Sequence, residues 1–188
     1  MRVAVRRINE WDAPSMLKVY APYVENTHFT PDTTVPTLAE YVQRIDTYTY
    51  GRGWIMTEID GVTTGFCLLT DRDVEKGDWF TADIQLYVAP NYQRRGVGTS
   101  LYSLMLNIMH YGNYRRVTAH INLPNDAAIA FHEKMGFHKV EEKDGVLLME
   151  RAIEQDDPNA ERFTKPYLID KFDYERSREY AATLVREV

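Results

Sequence analysis

The spacing of apolar residues along the chain predicts about seven short strands. Apolar and polar side chains alternate over residues 2–8, as they do in a strand that is buried on one face. Two further apolar runs flank the Asp60-Gly61 pair, which is typical of the tight turn of a β-hairpin. The predicted strands cover residues 2–8, 54–59, 62–69, 81–88, 117–121, 138–140 and 146–149.

Apolar positions at helical spacing predict about four helices among these strands, at residues 12–24, 37–45, 98–111 and 125–135. Asp12 and Pro14 are typical of the cap and first turn of the first helix. Thr37 and Glu40 have the spacing of a capping box, which predicts the start of the second. The order β-α-α-β-β-β-α-β-α-β-β predicts an α/β (α+β) domain, a mixed sheet covered by helices.

The last part of the chain differs in character from the rest. The segment Asp156-Asp157-Pro158-Asn159 interrupts any regular element, so we predict one domain over residues 1–154 and an extension over residues 155–188. A polar loop is expected over residues 71–78. In the extension, weakly amphipathic spacing predicts a helix that packs on the domain or on a dimer partner, with disorder as the alternative. Its apolar positions are Tyr174, Ala181, Leu184 and Val185.

Composition excludes several classes of function. The net charge of −6 argues against nucleic acid or a polyanionic membrane as a partner, because such binders usually carry a basic face. The single cysteine, Cys67, lies in a predicted strand, which favours a buried structural thiol and a reducing compartment. We find no apolar run of roughly 20 residues and no apolar signal segment, so we expect a cytoplasmic protein. The histidines lack metal-ligand spacing, and no metal is expected.

The most informative motif is Gln93-Arg94-Arg95-Gly96-Val97-Gly98, which lies between a predicted strand and a predicted helix. Glycines allow a tight backbone turn, and a helix N-terminus adds unpaired N–H groups and a positive dipole end. With two arginines, this turn predicts a site for a phosphate or pyrophosphate. It lacks the Lys-Ser/Thr of a P-loop and does not match the longer dinucleotide-binding glycine pattern. The alternative is a glycine-rich helix start with solvated arginines.

A second motif follows this turn and identifies the family that the chain resembles. It begins with Leu123-Pro124-Asn125-Asp126 and ends with Lys134-Met135-Gly136-Phe137. Together, the two motifs resemble those of the GNAT superfamily of acetyl-CoA-dependent N-acetyltransferases. The segments Tyr23-Val24-Glu25-Asn26-Thr27 and His132-Glu133-Lys134 are similar to those of the phosphinothricin acetyltransferase-like group. The resemblance covers residues 2 to about 150 and leaves out the extension.

The resemblance implies a GNAT fold, with a mostly antiparallel, twisted sheet of about seven strands that splays at the acetyl-CoA site. Backbone N–H groups of the turn would hold the pyrophosphate of acetyl-CoA, and the strand before it would pair with the pantetheine amides. For Asn125 a helix N-cap is an equally good interpretation, and for Lys134 a solvated side chain is. The implied coenzyme-binding residues are Leu86, Tyr87, Val88, Gln93, Arg94, Arg95, Gly96, Val97, Gly98, Thr99, Asn125 and Lys134.

The resemblance also implies catalytic and acceptor residues. Asp83 stands where the family usually has a glutamate and is the candidate general base, and His132 is the candidate for proton relay or thioester placement. Either side chain could instead be a hydrogen-bonded structural residue. The implied acceptor-binding residues are Tyr20, Tyr23, Glu25 and Asn26. The chain lacks the family's tryptophan and histidine after Phe137, so the resemblance predicts the chemistry better than the specificity.

These features predict an N-acetyltransferase that transfers acetyl from acetyl-CoA to the primary amine of a small amino-acid-like molecule, of the phosphinothricin or methionine sulfone type. Direct attack in a ternary complex is expected, because neither cysteine nor serine occurs in a recognisable nucleophile setting. The resemblance implies a homodimer. The alternatives are a polyamine, an aminoglycoside or a protein amine as acceptor, or an acyl-CoA-binding sensor without turnover.

Overall fold

The computed structural model describes residues 1–71, 78–161 and 174–187, and within them a seven-stranded sheet forms the centre. Its spatial order is β1-β2-β3-β4-β5-β7-β6, in which β4 and β5 run parallel and the other neighbours run antiparallel. The strands are β1 (Val3–Arg7), β2 (Trp54–Ile59), β3 (Val62–Asp71), β4 (Thr81–Val88), β5 (Arg116–Asn122), β6 (His138–Lys143) and β7 (Val146–Ala152). The predicted mixed, mostly antiparallel sheet is confirmed. Of the loop expected at 71–78, residues 72–77 lie outside the described part.

Five α-helices accompany the sheet in the described residues: α1 (Ala13–Asn26), α2 (Leu38–Arg52), α3 (Val97–Tyr111), α4 (Asp126–Lys134) and α5 (Tyr174–Thr183). The capping box at α2 is confirmed, since Thr37 and Glu40 bind each other's backbone N–H groups. Asp12 is the N-cap of α1 and a proline lies in its first turn, as predicted, but the Asp12 side chain makes no capping hydrogen bond. The carboxylate of Asp12 instead accepts from the N–H of Asn9 and pairs with Arg6 at 2.7 Å, so it closes a 3-10 turn before the helix.

The sheet separates two apolar cores. On one face, α3 and α5 pack over the sheet, with Leu101 and Met105 completely buried, and Cys67 is buried there as predicted. On the other face, α1 and α2 cover an aromatic cluster that includes Tyr20 and Phe66. Because side chains alternate along a strand, the central strands β2, β3 and β4 contribute to both cores.

The strands β4 and β5 separate along their length. Their pairing ends at Asp83 and Thr118, whereas β4 goes on pairing with β3 as far as Val88 opposite Gly65. On its other side, β5 pairs with β7 along its whole length. One edge of the second half of β4 therefore faces a gap in the sheet, which is the splay that the resemblance implied.

The C-terminal extension contributes a helix to the same body as the sheet. Helix α5 packs against α3 and β1, with Ala181 and Val185 buried in the core beneath. The division between residues 154 and 155 stays a prediction. This helix brings the end of the chain close to the start of α3, and that proximity matters for the site.

Candidate active site

The turn before α3 has the backbone of an anion site. Arg94 and Gly96 both adopt positive φ, at 60° and 85°, and such alternation turns successive N–H groups toward one concave side. Gly96 is the N-cap of α3 and provides no side-chain cap. The first helical hydrogen bond runs from the Ser100 N–H to the Gly96 carbonyl at 2.9 Å, so the N–H groups of Val97, Gly98 and Thr99 precede it. These groups and the helix dipole suit a pyrophosphate.

Gly98 allows this turn to lie close to the sheet and to α4. A Cβ at this position would be 3.2 Å from side-chain carbons of Leu86 on β4 and of Phe131 on α4. That separation is tighter than ordinary van der Waals contact, so any larger residue must displace one of these neighbours. Leu86 of β4 and Phe131 of α4 are thus held against the first turn of α3.

Arg95 faces the end of the chain rather than open solvent. Its Nε lies 3.4 Å from the carbonyl oxygen of Arg186, its guanidinium lies 5.1 Å from the centre of the Tyr92 ring, and its own carbonyl accepts from the Arg186 N–H at 2.8 Å. A Cβ at Gly96 would overlap the carbonyl oxygen of Leu184. The C-terminal segment therefore braces the turn through the carbonyl of Arg95, and not through one of the turn's N–H groups. Sequence reasoning missed this contact.

The open edge of β4 is tied to α1 by one hydroxyl. The Ala89 N–H donates to the Thr64 carbonyl on β3 at 2.8 Å, so the neighbouring Val88 directs its backbone groups to the other side. There, the Tyr23 hydroxyl donates to the Val88 carbonyl at 2.6 Å and lies 3.3 Å from its N–H. The side-chain amide of Gln93 donates to the same hydroxyl at 3.2 Å. Tyr23 therefore links α1 to the edge of β4 where pantetheine amides would pair.

Asp83 lies where the two strands separate. The Thr118 hydroxyl donates to Asp83 Oδ1, and His120 Nδ1 lies 3.5 Å from the same oxygen. The side chain of Asp83 is 24% exposed and that of His120 is 45% exposed. Both lie on the face of the sheet that carries α1 and α2, since their neighbours along the strands point into the opposite core. Sequence reasoning considered His120 only as a metal ligand. Two polar residues two apart on β5, on the face of Asp83, are the signal that could have indicated it.

His132 is buried on α4, and the structure gives a partner to both of its ring nitrogens. Nδ1 lies 2.8 Å from the Ala128 carbonyl, which can only accept, so Nδ1 carries the proton. Nε2 then accepts from the Tyr102 hydroxyl at 2.6 Å. The ring is 8% exposed, and this burial lowers its pKa, which favours the neutral form. A role for His132 in proton transfer or thioester placement stays a prediction.

The other predicted residues on the acceptor side have local partners. The Tyr20 hydroxyl donates to Asp32 at 2.6 Å, and Arg44 binds the same carboxylate through two nitrogens at 2.6 and 2.9 Å. The hydrogen bonds from Arg44 lower the pKa of Asp32, and burial raises the pKa of Tyr20. Glu25 is exposed near the end of α1, and the amide of Asn26 bonds back to the helix. Of the implied acceptor residues, Tyr23 is the one that reaches the β4 edge through a described hydrogen bond.

Two predicted coenzyme contacts lie on α4. Asn125 Oδ1 accepts from the Ala128 N–H at 3.2 Å, so the N-cap interpretation is confirmed. Lys134 is exposed in the last turn of the same helix. Among the described residues, the structure contains neither a helix long and apolar enough to cross a membrane nor a group of three side chains able to hold a metal ion.

The sequence matches the model of the acetyltransferase (GNAT) family over residues 13–137, which span the turn, the splayed strands and α4. The chain belongs to the GNAT family. It is therefore an acetyl-CoA-dependent acetyltransferase, and acetyl-CoA is its cosubstrate.

Two named bacterial enzymes are similar to this GNAT chain. The phosphinothricin N-acetyltransferase of Streptomyces viridochromogenes is 25% identical over 135 residues, 72% of this chain and 74% of the relative. The L-methionine sulfoximine/L-methionine sulfone acetyltransferase of Salmonella typhimurium is 29% identical over 83 residues, 44% of this chain and 48% of the relative.

A solved structure supports the fold. The phosphinothricin acetyltransferase of Sinorhizobium meliloti, solved in complex with acetyl-CoA, matches with a TM-score of 0.76 at 20% identity, over 87% of this chain and 94% of that one. At this identity the match establishes the GNAT fold and does not identify the acceptor. The turn and the gap described above thus belong to a fold that also occurs in an acetyl-CoA complex.

Proposed function

We propose that the protein N-acetylates the primary amine of a small amino-acid-like molecule of the phosphinothricin or methionine sulfone type, by direct attack in a ternary complex. The observation that carries this proposal is the position of Asp83, a partly exposed carboxylate at the point where β4 and β5 separate. Relatives named for phosphinothricin and for methionine sulfone support the acceptor class.

Acetyl-CoA would be held mainly by backbone. The turn provides N–H groups and the exposed guanidinium of Arg94 for the pyrophosphate, and the open edge of β4 offers backbone groups to the pantetheine amides. Because Tyr23 occupies the carbonyl and N–H of Val88, its hydroxyl would have to shift or share these groups when the pantetheine pairs there. The bound thioester supplies the activated acetyl group.

Proton removal is the task that the protein has to perform on the acceptor. An aliphatic ammonium titrates near 10, judging by lysine, so it needs a base to become a nucleophile. Asp83 would act as that base, directly or through water. His132, linked to Tyr102 beneath α4, would keep α4 in place beside the thioester.

The proposal is tested by following thiol release from acetyl-CoA over a panel of amines. The panel contains methionine sulfone, phosphinothricin, spermidine, an aminoglycoside and a short peptide. Selective turnover of the sulfone or the phosphinate supports the proposal, whereas turnover of spermidine, the aminoglycoside or the peptide replaces the acceptor class. Tight binding of acetyl-CoA without turnover of any amine indicates a sensor instead.

We further propose that the enzyme acts as a cytoplasmic homodimer. The support is the family resemblance, together with a buried Cys67 whose thiol pKa is raised by its burial, as suits a structural thiol in a reducing compartment. Light scattering of the purified protein gives the mass of the assembly directly. A monomer mass at micromolar concentration contradicts the dimer and leaves the chemistry unaffected.

A further inference from the structure

We propose that His120 is a further catalytic residue, an imidazole base that is oriented by Asp83 and that receives the proton of the acceptor amine. The proposal rests on the acetyl transfer proposed above and names a different group as the one that meets the substrate. It arises from the way β5 places its side chains beside the gap.

The register of the strands brings the two groups together. Asp83 lies opposite Thr118, the last pair before the strands separate, and His120 follows Thr118 on the same face of β5. Asp83 Oδ1 is shared by the Thr118 hydroxyl and by His120 Nδ1, the latter at 3.5 Å. The carboxylate is thereby fixed on one side by a buried threonine and bordered on the other by an imidazole.

Exposure indicates which of the two groups a substrate would meet. The His120 side chain is 45% exposed and that of Asp83 is 24% exposed, so the imidazole is the more accessible of the two groups. A proton on Nδ1 that points to the carboxylate leaves Nε2 as the acceptor. Among the residues that the structure describes, none makes a hydrogen bond to that Nε2. His132, in contrast, has both nitrogens occupied inside the protein.

The electrostatic surroundings favour this pairing. Two carboxylates lie on this face near the imidazole: Asp83 on β4, and Glu150 on β7, which is paired with Thr118 two residues before His120. Glu150 already pairs with Arg116 at 3.6 Å and with His138 at 3.3 Å. Asp83 is therefore the carboxylate that is directed at the imidazole, and it stabilises the imidazolium that forms when the amine is deprotonated.

The reaction balances with His120 as the base. Nε2 takes one proton from the substrate ammonium, and the freed amine nitrogen forms a bond to the acetyl carbon while the bond from that carbon to the CoA sulfur breaks. A second proton leaves the nitrogen and is taken up by the departing thiolate. The imidazolium returns its proton to solvent, so the products are the amide, free CoA and one proton.

The test compares His120→Gln with His138→Gln, a matched change of an exposed histidine on β6 that lies outside the gap. With the best amine of the panel, we expect kcat of His120→Gln to fall about 100-fold, while the Kd for acetyl-CoA stays within twofold of the wild type. His138→Gln should keep wild-type values. The acidic limb of the kcat/KM profile, which reports the essential base, should disappear in His120→Gln alone.

A double-mutant cycle separates this proposal from a role of Asp83 alone. If the two residues act as one unit, the effect of Asp83→Asn and His120→Gln combined should be close to that of the more damaging single change. Wild-type kcat and pH profile in His120→Gln, together with a large loss in Asp83→Asn, overturn the role of His120 and leave the proposed function standing. A wild-type enzyme that binds acetyl-CoA and acetylates no amine overturns both.

Discussion

The proposed coenzyme side and the proposed acceptor side of this site are built in different ways. The coenzyme side is formed by contiguous backbone, because the turn at Arg94 and Gly96, the first N–H groups of α3 and the edge of β4 follow one another in the chain. The acceptor side is formed by side chains from separate elements, with Asp83 on β4, His120 on β5 and Tyr23 on α1. A backbone site tolerates side-chain variation, whereas a side-chain site can change its substrate by single substitutions.

The largest effect is expected from a substitution that obstructs the coenzyme side. In Gly98→Trp the side chain cannot fit between Leu86 and Phe131, so the first turn of α3 must move away from the sheet. We expect the affinity for CoA to fall by more than about 100-fold, since the N–H groups would no longer converge on the anion. Calorimetric titration with CoA measures this change. Gly98→Ala, which adds one carbon against the same neighbours, should lose less affinity, and an unchanged affinity in Gly98→Trp would contradict an anion site at this turn.

The second prediction tests whether the acceptor side is independent. Asp83→Asn keeps the size of the side chain and an acceptor oxygen for Thr118, but it removes the charge. We expect kcat to fall by roughly 100-fold or more, with the Kd for acetyl-CoA nearly unchanged. Steady-state kinetics beside calorimetry make the comparison. If both quantities fall together, the two sides are not separate and the contrast between them is wrong.

The difference between the two sides also explains what the sequence could predict. The turn and the start of its helix depend on residues that are neighbours in the chain, so a short sequence motif is enough to predict the anion site. The same holds for the capping box at Thr37. The contact between Thr118 and Asp83 joins residues 35 positions apart, and the contact between Arg95 and Arg186 joins residues 91 positions apart. Strand register and helix docking decide such contacts, and neither can be read from local pattern.

Arg95 shows, at a single residue, where prediction from local sequence pattern fails. Its place in the motif predicts a phosphate contact, yet its guanidinium faces the carbonyl of Arg186 and the ring of Tyr92. The C-terminal extension carries no motif of its own, so no local pattern connects it with the turn. The extension acts at the coenzyme side through backbone groups, which composition does not reveal.

A smaller effect is expected from loosening this brace. Arg186→Pro removes the N–H that donates to the Arg95 carbonyl, whereas Arg186→Ala keeps it. We expect the Kd for CoA to rise about fivefold in the proline variant, as the loss of one hydrogen bond of about 1 kcal/mol implies, and to stay near the wild-type value in the alanine variant. Equal affinities in the two variants would show that the brace stabilises the fold without shaping the turn.

The smallest effect concerns the stability of the fold and depends on the buried His132 of α4. Burial lowers the pKa of His132 in the folded state, so the unfolded chain binds the proton more readily. Its contribution to stability is therefore complete above about pH 6.5, the usual value for histidine, and is lost as the pH falls below it. Urea unfolding at pH 7.5 and pH 5.5 should show a loss of stability that is smaller in His132→Gln. Tyr102→Phe removes the hydroxyl that donates to Nε2 of His132, so it should lower the free energy of unfolding by about 1 kcal/mol at neutral pH. The loss should be smaller at low pH, because a protonated Nε2 no longer accepts this hydrogen bond. An equal pH dependence in wild type and His132→Gln would show that other groups control acid stability and that this buried pair holds α4 in place at every pH.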